Sequence, residues 1–159
     1  MTPSPVRVLA LTNMFPTASD PGYGAFVADQ MHWVQQCGAL VTIDVIDGRA
    51  GKWQYVRAIT RVRRAARSGQ FDVVHAHYGL TGFVATFQPL PLVVSFCGDD
   101  LLGTPDGRGG MTLGSRLQRV LSRRAAPRAQ AIVCKSEELR AALPIEADRA
   151  RAHVVPNGV

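Results

Sequence analysis

Two histidines one residue apart, His75 and His77, run into Tyr78 and Gly79 at the end of an apolar stretch. Residues two apart in a strand share a face, so both imidazoles point the same way and could converge on a metal or a common ligand. No third metal ligand is evident beside them. His75, within the strand, fits a core histidine with a satisfied hydrogen bond. His77 stands at the strand's mouth and is the better candidate for touching a substrate. A second segment, Ser95-Phe96-Cys97-Gly98-Asp99-Asp100, sets adjacent carboxylates beside a glycine. Such oxygens bind hard divalent cations, but they also accept hydrogen bonds from hydroxyl groups or from the backbone of their own loop.

A third segment, from Thr12 to Val27, brings Gly22, Tyr23 and Gly24 up to the start of a helix. Glycines there let a ligand approach backbone N–H groups and the positive helix end, or simply form a turn. The dinucleotide fingerprint fails on two counts: its third glycine falls on Val27, and a long loop separates the glycines from the preceding strand. Asp44 and Asp47 lie about where a ribose-binding acid belongs, which alone does not restore that reading. Ser136 with Glu137 and Glu138 has the chemistry of a helix N-cap and first turn. Glycine-rich residues 103–114 cannot hold regular structure and are expected to stay mobile until something binds.

The elements that must position these loops are legible as alternating apolar runs and helical patterns. Strands are predicted at Val6–Leu11, Leu40–Ile46, Asp72–His77, Leu92–Phe96, Ala131–Cys134 and His153–Val155. Helices are predicted at Phe26–Gln36, Trp53–Arg67, Leu80–Phe87, Leu113–Ala125 and Glu137–Leu143. In the first helix Phe26, Val27, Met31 and Val34 face inward; in the second, Trp53, Val56, Ile59 and Val62 turn away from Arg57, Arg61 and Arg64. Short apolar strands alternating with helices imply a doubly wound parallel α/β sheet, Rossmann-like, covered on both faces. Ligands in such sheets bind beyond the carboxyl ends of the strands, where all of these polar loops fall.

Composition narrows the rest. The 159 residues are 47% hydrophobic and 19% charged, which suits one globular domain and argues against disorder. No apolar run approaches the roughly 20 residues of a membrane-spanning helix, and no signal peptide opens the chain. Three cysteines at no metal-like spacing fit a reduced cytoplasmic protein, with Cys37 and Cys134 as small buried residues. The net charge of +6 is carried by 16 arginines and 2 lysines. The arginine-rich second helix suits a solvated face or a patch attracted to anionic lipid. Nucleic acid is set aside, since neither zinc-finger spacing nor an aromatic RNA motif is present. A strand followed by Pro156-Asn157-Gly158 leads into a turn, from which the chain is read as one domain, 1–159, of a longer protein.

Taken in order, these segments resemble the N-terminal domain of family-four retaining glycosyltransferases with the GT-B fold, especially bacterial enzymes of cell-surface polysaccharide synthesis of the teichuronic acid type. The resemblance rests on Thr12-Asn13-Met14-Phe15-Pro16 with Gly22-Tyr23-Gly24-Ala25-Phe26-Val27 and Gln30; on residues 72–79; on Val93-Val94-Ser95-Phe96 with Gly98-Asp99-Asp100-Leu101-Leu102; on residues 131–136; and on Val155-Pro156-Asn157-Gly158-Val159. It implies two Rossmann-like domains facing a cleft, this one holding a glycan or lipid-linked acceptor. A C-terminal domain outside the chain would bind the nucleotide-sugar and carry a glutamate pair. It implies sugar transfer to a hydroxyl with retained anomeric configuration, no metal or other cofactor, and a cytoplasmic location with peripheral contact at the inner face of the membrane. His77 is carried over as the catalytic candidate, with Gly22, Tyr23, Gly24, Tyr78, Cys97, Gly98 and Asp99 as substrate-binding candidates. Cys97 departs from the pattern, since many relatives have there a histidine that contacts the donor sugar. The fragment alone is expected to be inactive. Two rival readings are a non-enzymatic Rossmann-like module binding a nucleotide or partner and, less well supported, a nicotinamide-dependent oxidoreductase domain.

Overall fold

Runs of aliphatic and β-branched residues bounded by glycine, proline or polar turns form six parallel strands in the computed structural model, which describes residues 4–104 and 110–157. They are β1 (Arg7–Thr12), β2 (Leu40–Val45), β3 (Val73–His77), β4 (Leu92–Phe96), β5 (Ala131–Cys134) and β6 (Ala152–Val154), in spatial order β2-β1-β3-β4-β5-β6. Each predicted strand is present within a residue of its expected ends. The chain leaves β1 for β2 on one side and returns to β3 on the other, so strand order reverses between β1 and β3. That reversal is where α/β sheets open a crevice for ligands.

Among the described residues the α-helices that join the strands are α1 (Ala25–Gln36), α2 (Trp53–Ala66), α3 (Gly79–Ala85), α4 (Asp99–Leu102), α5 (Leu113–Arg123), α6 (Glu137–Ala141) and α7 (Glu146–Ala150). Two short helices, α4 and α7, have no counterpart in the sequence reading, because a single turn is too short to show a 3.6-residue period. Ser136 caps α6 as expected, its hydroxyl accepting from the Leu139 amide at 3.2 Å. Thr112 does the same for α5, accepting from the Ser115 amide. Pro144 stops α6 before the predicted Leu143, since the residue before proline is driven out of helical geometry.

Alternation along the strands divides the core between the two faces. Leu9, Leu11, Val74, Ala76, Val94, Phe96, Ile132 and Cys134 join α2 and α3 in one large apolar cluster. On the other face Ala10 meets Val27 and Met31 of α1, with Phe26 and Val34 packed partly against them. That second face becomes polar toward the carboxyl edge, where Thr12, His75, His77 and Ser95 are all buried.

The apolar face of α2 is only partly covered, and the expected burial of Cys37 fails. In α2 the buried seam runs through Ala58, Val62 and Ala66, with Ile59 alongside, while Trp53 and Val56 are 67% and 48% exposed. The apolar residues of this helix span too wide an arc to meet one flat sheet, so its N-terminal pair is left outside. Cys37 is exposed at the end of α1 because it caps that helix beside a turn; Cys134 is buried as expected.

Candidate functional site

The loop after β1 is built as a rigid arm across the crevice. Thr12 starts it, its hydroxyl donating to the Met14 carbonyl at 2.8 Å. The Asn13 side-chain amide then donates to the Tyr55 hydroxyl at 3.1 Å, and the Asn13 carbonyl accepts from the Tyr23 hydroxyl at 3.1 Å. Arg49 lies over the Tyr23 ring, 3.6 Å from its centroid, and pairs with Asp20 at 3.1 Å. Gly24 has φ +74°, and a Cβ there would sit 2.5 Å from the Met14 carbonyl group. Its glycine is therefore explained by the loop's own backbone rather than by a ligand. Gly22 has open space beside it, as a ligand-facing position requires.

The β3 and β4 ends are tied together by one carboxylate. Asp100 is buried and accepts from three amides: Gly79 at 2.8 Å, Gly98 at 2.8 Å and Cys97 at 3.1 Å. Of the two acids, Asp100 thus serves its own loop's backbone, and burial raises its pKa against the pull of those amides. Asp99 is exposed in the first turn of α4, with Thr104 at 3.5 Å. Gly98 has φ +149° and nothing within 4 Å of where a Cβ would point, so it presents bare backbone to the crevice. Tyr78 holds φ +82°, the only positive value outside glycine among the described residues. Such a residue costs about 1–3 kcal/mol and persists only when its surroundings fix it. Here its amide donates to the Ser95 carbonyl at 2.8 Å, and its hydroxyl accepts from Gln118.

The histidine pair corrects the depth assigned from sequence. The rings do share a face, stacked with centroids 4.2 Å apart. His77, however, has no exposed surface, while His75 keeps 8%. The strand ends there, but the ring is sealed beside His75 with Lys135 nearby, so His77 does not stand at an open mouth. Neither of its ring nitrogens has a partner among the described residues. His75 Nε2 lies 2.8 Å from the Ser95 hydroxyl, the satisfied core bond expected of it. Burial, with Lys135 nearby, pulls the His75 pKa down to about 4. Burial, then His75 and Lys135, holds His77 well below the ordinary imidazole value. Both rings are therefore neutral at neutral pH. The Cys97 thiol, half-buried, is pushed up to about 12 by burial and Asp100, so it is no nucleophile.

Lys135 is the site residue that sequence reasoning passed over. It follows β5 and donates to the Gln30 side chain of α1 at 2.9 Å. Burial lowers its pKa. Together with Phe26, Asp29, Gln30, Trp33 and Asn157 it lines a cavity of about 370 Å³ at the carboxyl edge. A signal existed, for it is one of only 2 lysines among 18 basic residues. The glycine-rich segment expected to be mobile falls partly outside the described residues, at 105–109. Its flanks differ: buried Gly103 packs against Met111, and residues 113–114 begin α5.

A parallel sheet whose strand order reverses at β1 and β3, with helices on both faces, defines a Rossmann-like α/β domain. Residues 4–158 match the family model of the glycosyl transferase 4-like domain, and the chain belongs to that family. It is thus the N-terminal domain type of a GT-B glycosyltransferase, and transferase activity, with a nucleotide-sugar donor and a glycan acceptor in general terms, follows from the family. No curated protein matches the chain at a significant level. Among the described residues no helix is long and apolar enough to cross a membrane.

Proposed function

We propose that this domain is the acceptor-side half of a retaining glycosyltransferase of cell-surface glycan synthesis, working with a donor-side domain across the crevice. The observation that carries this reading is the edge itself: Gly22 and Gly98 leave backbone uncovered on either side of the strand-order reversal. A sugar ring, with hydroxyls on most of its carbons, needs hydrogen-bond partners at close backbone range. Tyr23, Tyr78, Cys97, Gly98 and Asp99, with Gly22 in the arm, form the acceptor surface, and Gly24 lets the arm fold against Met14.

His77 has a supporting role in this scheme. Sealed and neutral, it backs the Tyr78 turn and the Lys135 cavity instead of touching the sugar. Lys135 supplies positive charge at the edge, where a departing diphosphate would need it. Cys97 fills space without ionising. The nucleotide-sugar is held mainly by the other domain, so the 159 residues alone bind acceptor but do not transfer sugar.

The test is a transfer assay on the complete gene product with labelled nucleotide-sugars and lipid-linked or glycan acceptors, reading the product's anomeric configuration by NMR. Retention, with no turnover by residues 1–159, is expected. Inversion would remove the retaining assignment. Turnover by the isolated chain would remove the division of labour between two domains.

A further inference from the structure

The outer surface of α2 and α5 is neither apolar nor polar in the usual sense. Five of the large apolar residues exposed among the described ones sit on these helices: Trp53 (67%), Val56 (48%), Leu113 (83%), Leu117 (60%) and Val120 (48%). Between the helices runs a groove of about 390 Å³, whose walls include Val56, Ile59, Phe83, Leu117 and Leu121. Every charged side chain in α2 and α5 is an arginine; neither helix contains an acid.

Helical spacing places the cations around the apolar residues. Lys52 lines the groove itself, one turn before Val56. Arg63 follows Ile59 by four residues, and Arg116 falls between Leu113 and Val120 on the same stripe. At the far end of α2, Arg63, Arg64 and Arg67 surround a hollow with Thr60 and Ser68. Among the described residues none of these cations is in an ion pair. Arg61, by contrast, is held by Asp44 through two hydrogen bonds of 2.9 and 2.7 Å, and Arg123 reaches back toward the Leu101 carbonyl. Of the second helix's cations, Arg61 is thus engaged with Asp44, whereas Lys52 lines the apolar groove and Arg63, Arg64 and Arg67 cluster at the end of α2.

We propose that the α2–α5 surface docks this domain on an anionic lipid bilayer, with Trp53 and Leu113 entering the headgroup region and the surrounding lysine and arginines meeting lipid phosphates. Charge selects this occupant. A second copy would bring the same cations against themselves, and a neutral apolar partner would leave them unpaired. A bilayer accepts both parts: apolar tips enter the interface while long basic side chains extend to the headgroups. Position agrees as well. In a parallel sheet each helix that follows a strand begins at the carboxyl edge, so Lys52 before α2 and Leu80 at the start of α3 set one end of the groove on the crevice side. A lipid-linked acceptor could then pass from the membrane to the site without leaving the protein surface. This last step rests on the proposed function; the docking itself does not.

The test is co-sedimentation of the protein with vesicles of pure phosphatidylcholine or of phosphatidylcholine mixed with phosphatidylglycerol, together with Trp53 fluorescence in a Trp33→Phe background. Binding to the anionic vesicles alone, with a blue shift of Trp53, is expected. Each basic group near such a surface is worth about fivefold in affinity, so Lys52→Glu, Arg63→Glu and Arg116→Glu together should lower it at least about a hundredfold. Leu113→Gln with Leu117→Gln should abolish the blue shift of Trp53 and release the protein from the anionic vesicles; both residues are exposed, and the charge variants give an independent reading if this pair misfolds. Absence of vesicle binding, or binding unchanged by both sets, would overturn the proposal. So would charge-dependent binding to duplex or single-stranded nucleic acid without vesicle binding, or dimerisation lost in the apolar variants. Loss of docking would leave the transferase assay free to succeed or fail by itself.

Discussion

Acid should unfold this domain through two residues that carry no charge at neutral pH. His75 and His77 are buried against each other and bind protons more weakly in the fold than in the unfolded chain. Because the folded pKa values lie below the unfolded value near 6.5, the unfolded state holds more protons in the window between them, and stability falls as pH falls. With His75 at about 4, its share of the loss is about 2 kcal/mol at roughly pH 5 and about 3 kcal/mol once pH drops below the folded value. His77, well below the ordinary imidazole value, adds up to about 2 kcal/mol more at roughly pH 5, the ceiling set by the unfolded imidazole. The pair thus removes between about 2 and about 4 kcal/mol between roughly pH 7.5 and pH 5, against a total of about 5–15 kcal/mol for an ordinary domain. Urea titrations followed by circular dichroism at both pH values measure this directly. His77→Leu should halve the acid loss, because it removes one proton-binding site and leaves the other. Wild type losing less than about 1 kcal/mol over that interval would mean that the imidazoles are solvated, and the burial argument would fail. An undiminished loss in His77→Leu would place the proton uptake elsewhere.

Other variants separate backbone need from open space. Gly24→Ala forces a Cβ into the Met14 backbone at positive φ and should cost more than about 2 kcal/mol, whereas Gly22→Ala, in open space, should stay within about 0.5 kcal/mol; thermal melts rank them. Asp100→Ala strands three amides and should cost at least about 3 kcal/mol, with hydrogen exchange quickening at Gly79, Cys97 and Gly98 before the rest of the domain. Near neutral pH iodoacetamide should label exposed Cys37 well ahead of Cys97 and Cys134, whose thiols are pushed up to about 12 and about 11, as mass spectrometry of timed samples would show.

What the sequence determined by itself was the frame. Strand positions follow from short apolar runs, since a strand buried in a parallel sheet must be apolar along its length. Helix starts follow from local chemistry such as Ser136, whose hydroxyl needs only its neighbours' amides. The same locality made the loops that carry Gly22, Tyr78 and Gly98 visible as candidates. Tertiary structure decided what each side chain faces. His75 and His77 look alike along the strand, and only the packing of other segments around them made the outer one the more deeply buried. Asp99 and Asp100 are identical neighbours, and the rotation between successive positions of one helical turn aims one at three amides and leaves the other exposed. Gly22 and Gly24 are both glycines of one loop, yet only one has room beside it, because Met14, ten residues earlier, folds back against the other. Lys135 gained its place through Gln30, 105 residues away. Burial and partner choice depend on contacts between distant segments, and no local pattern of residues encodes which of two similar groups those contacts will cover.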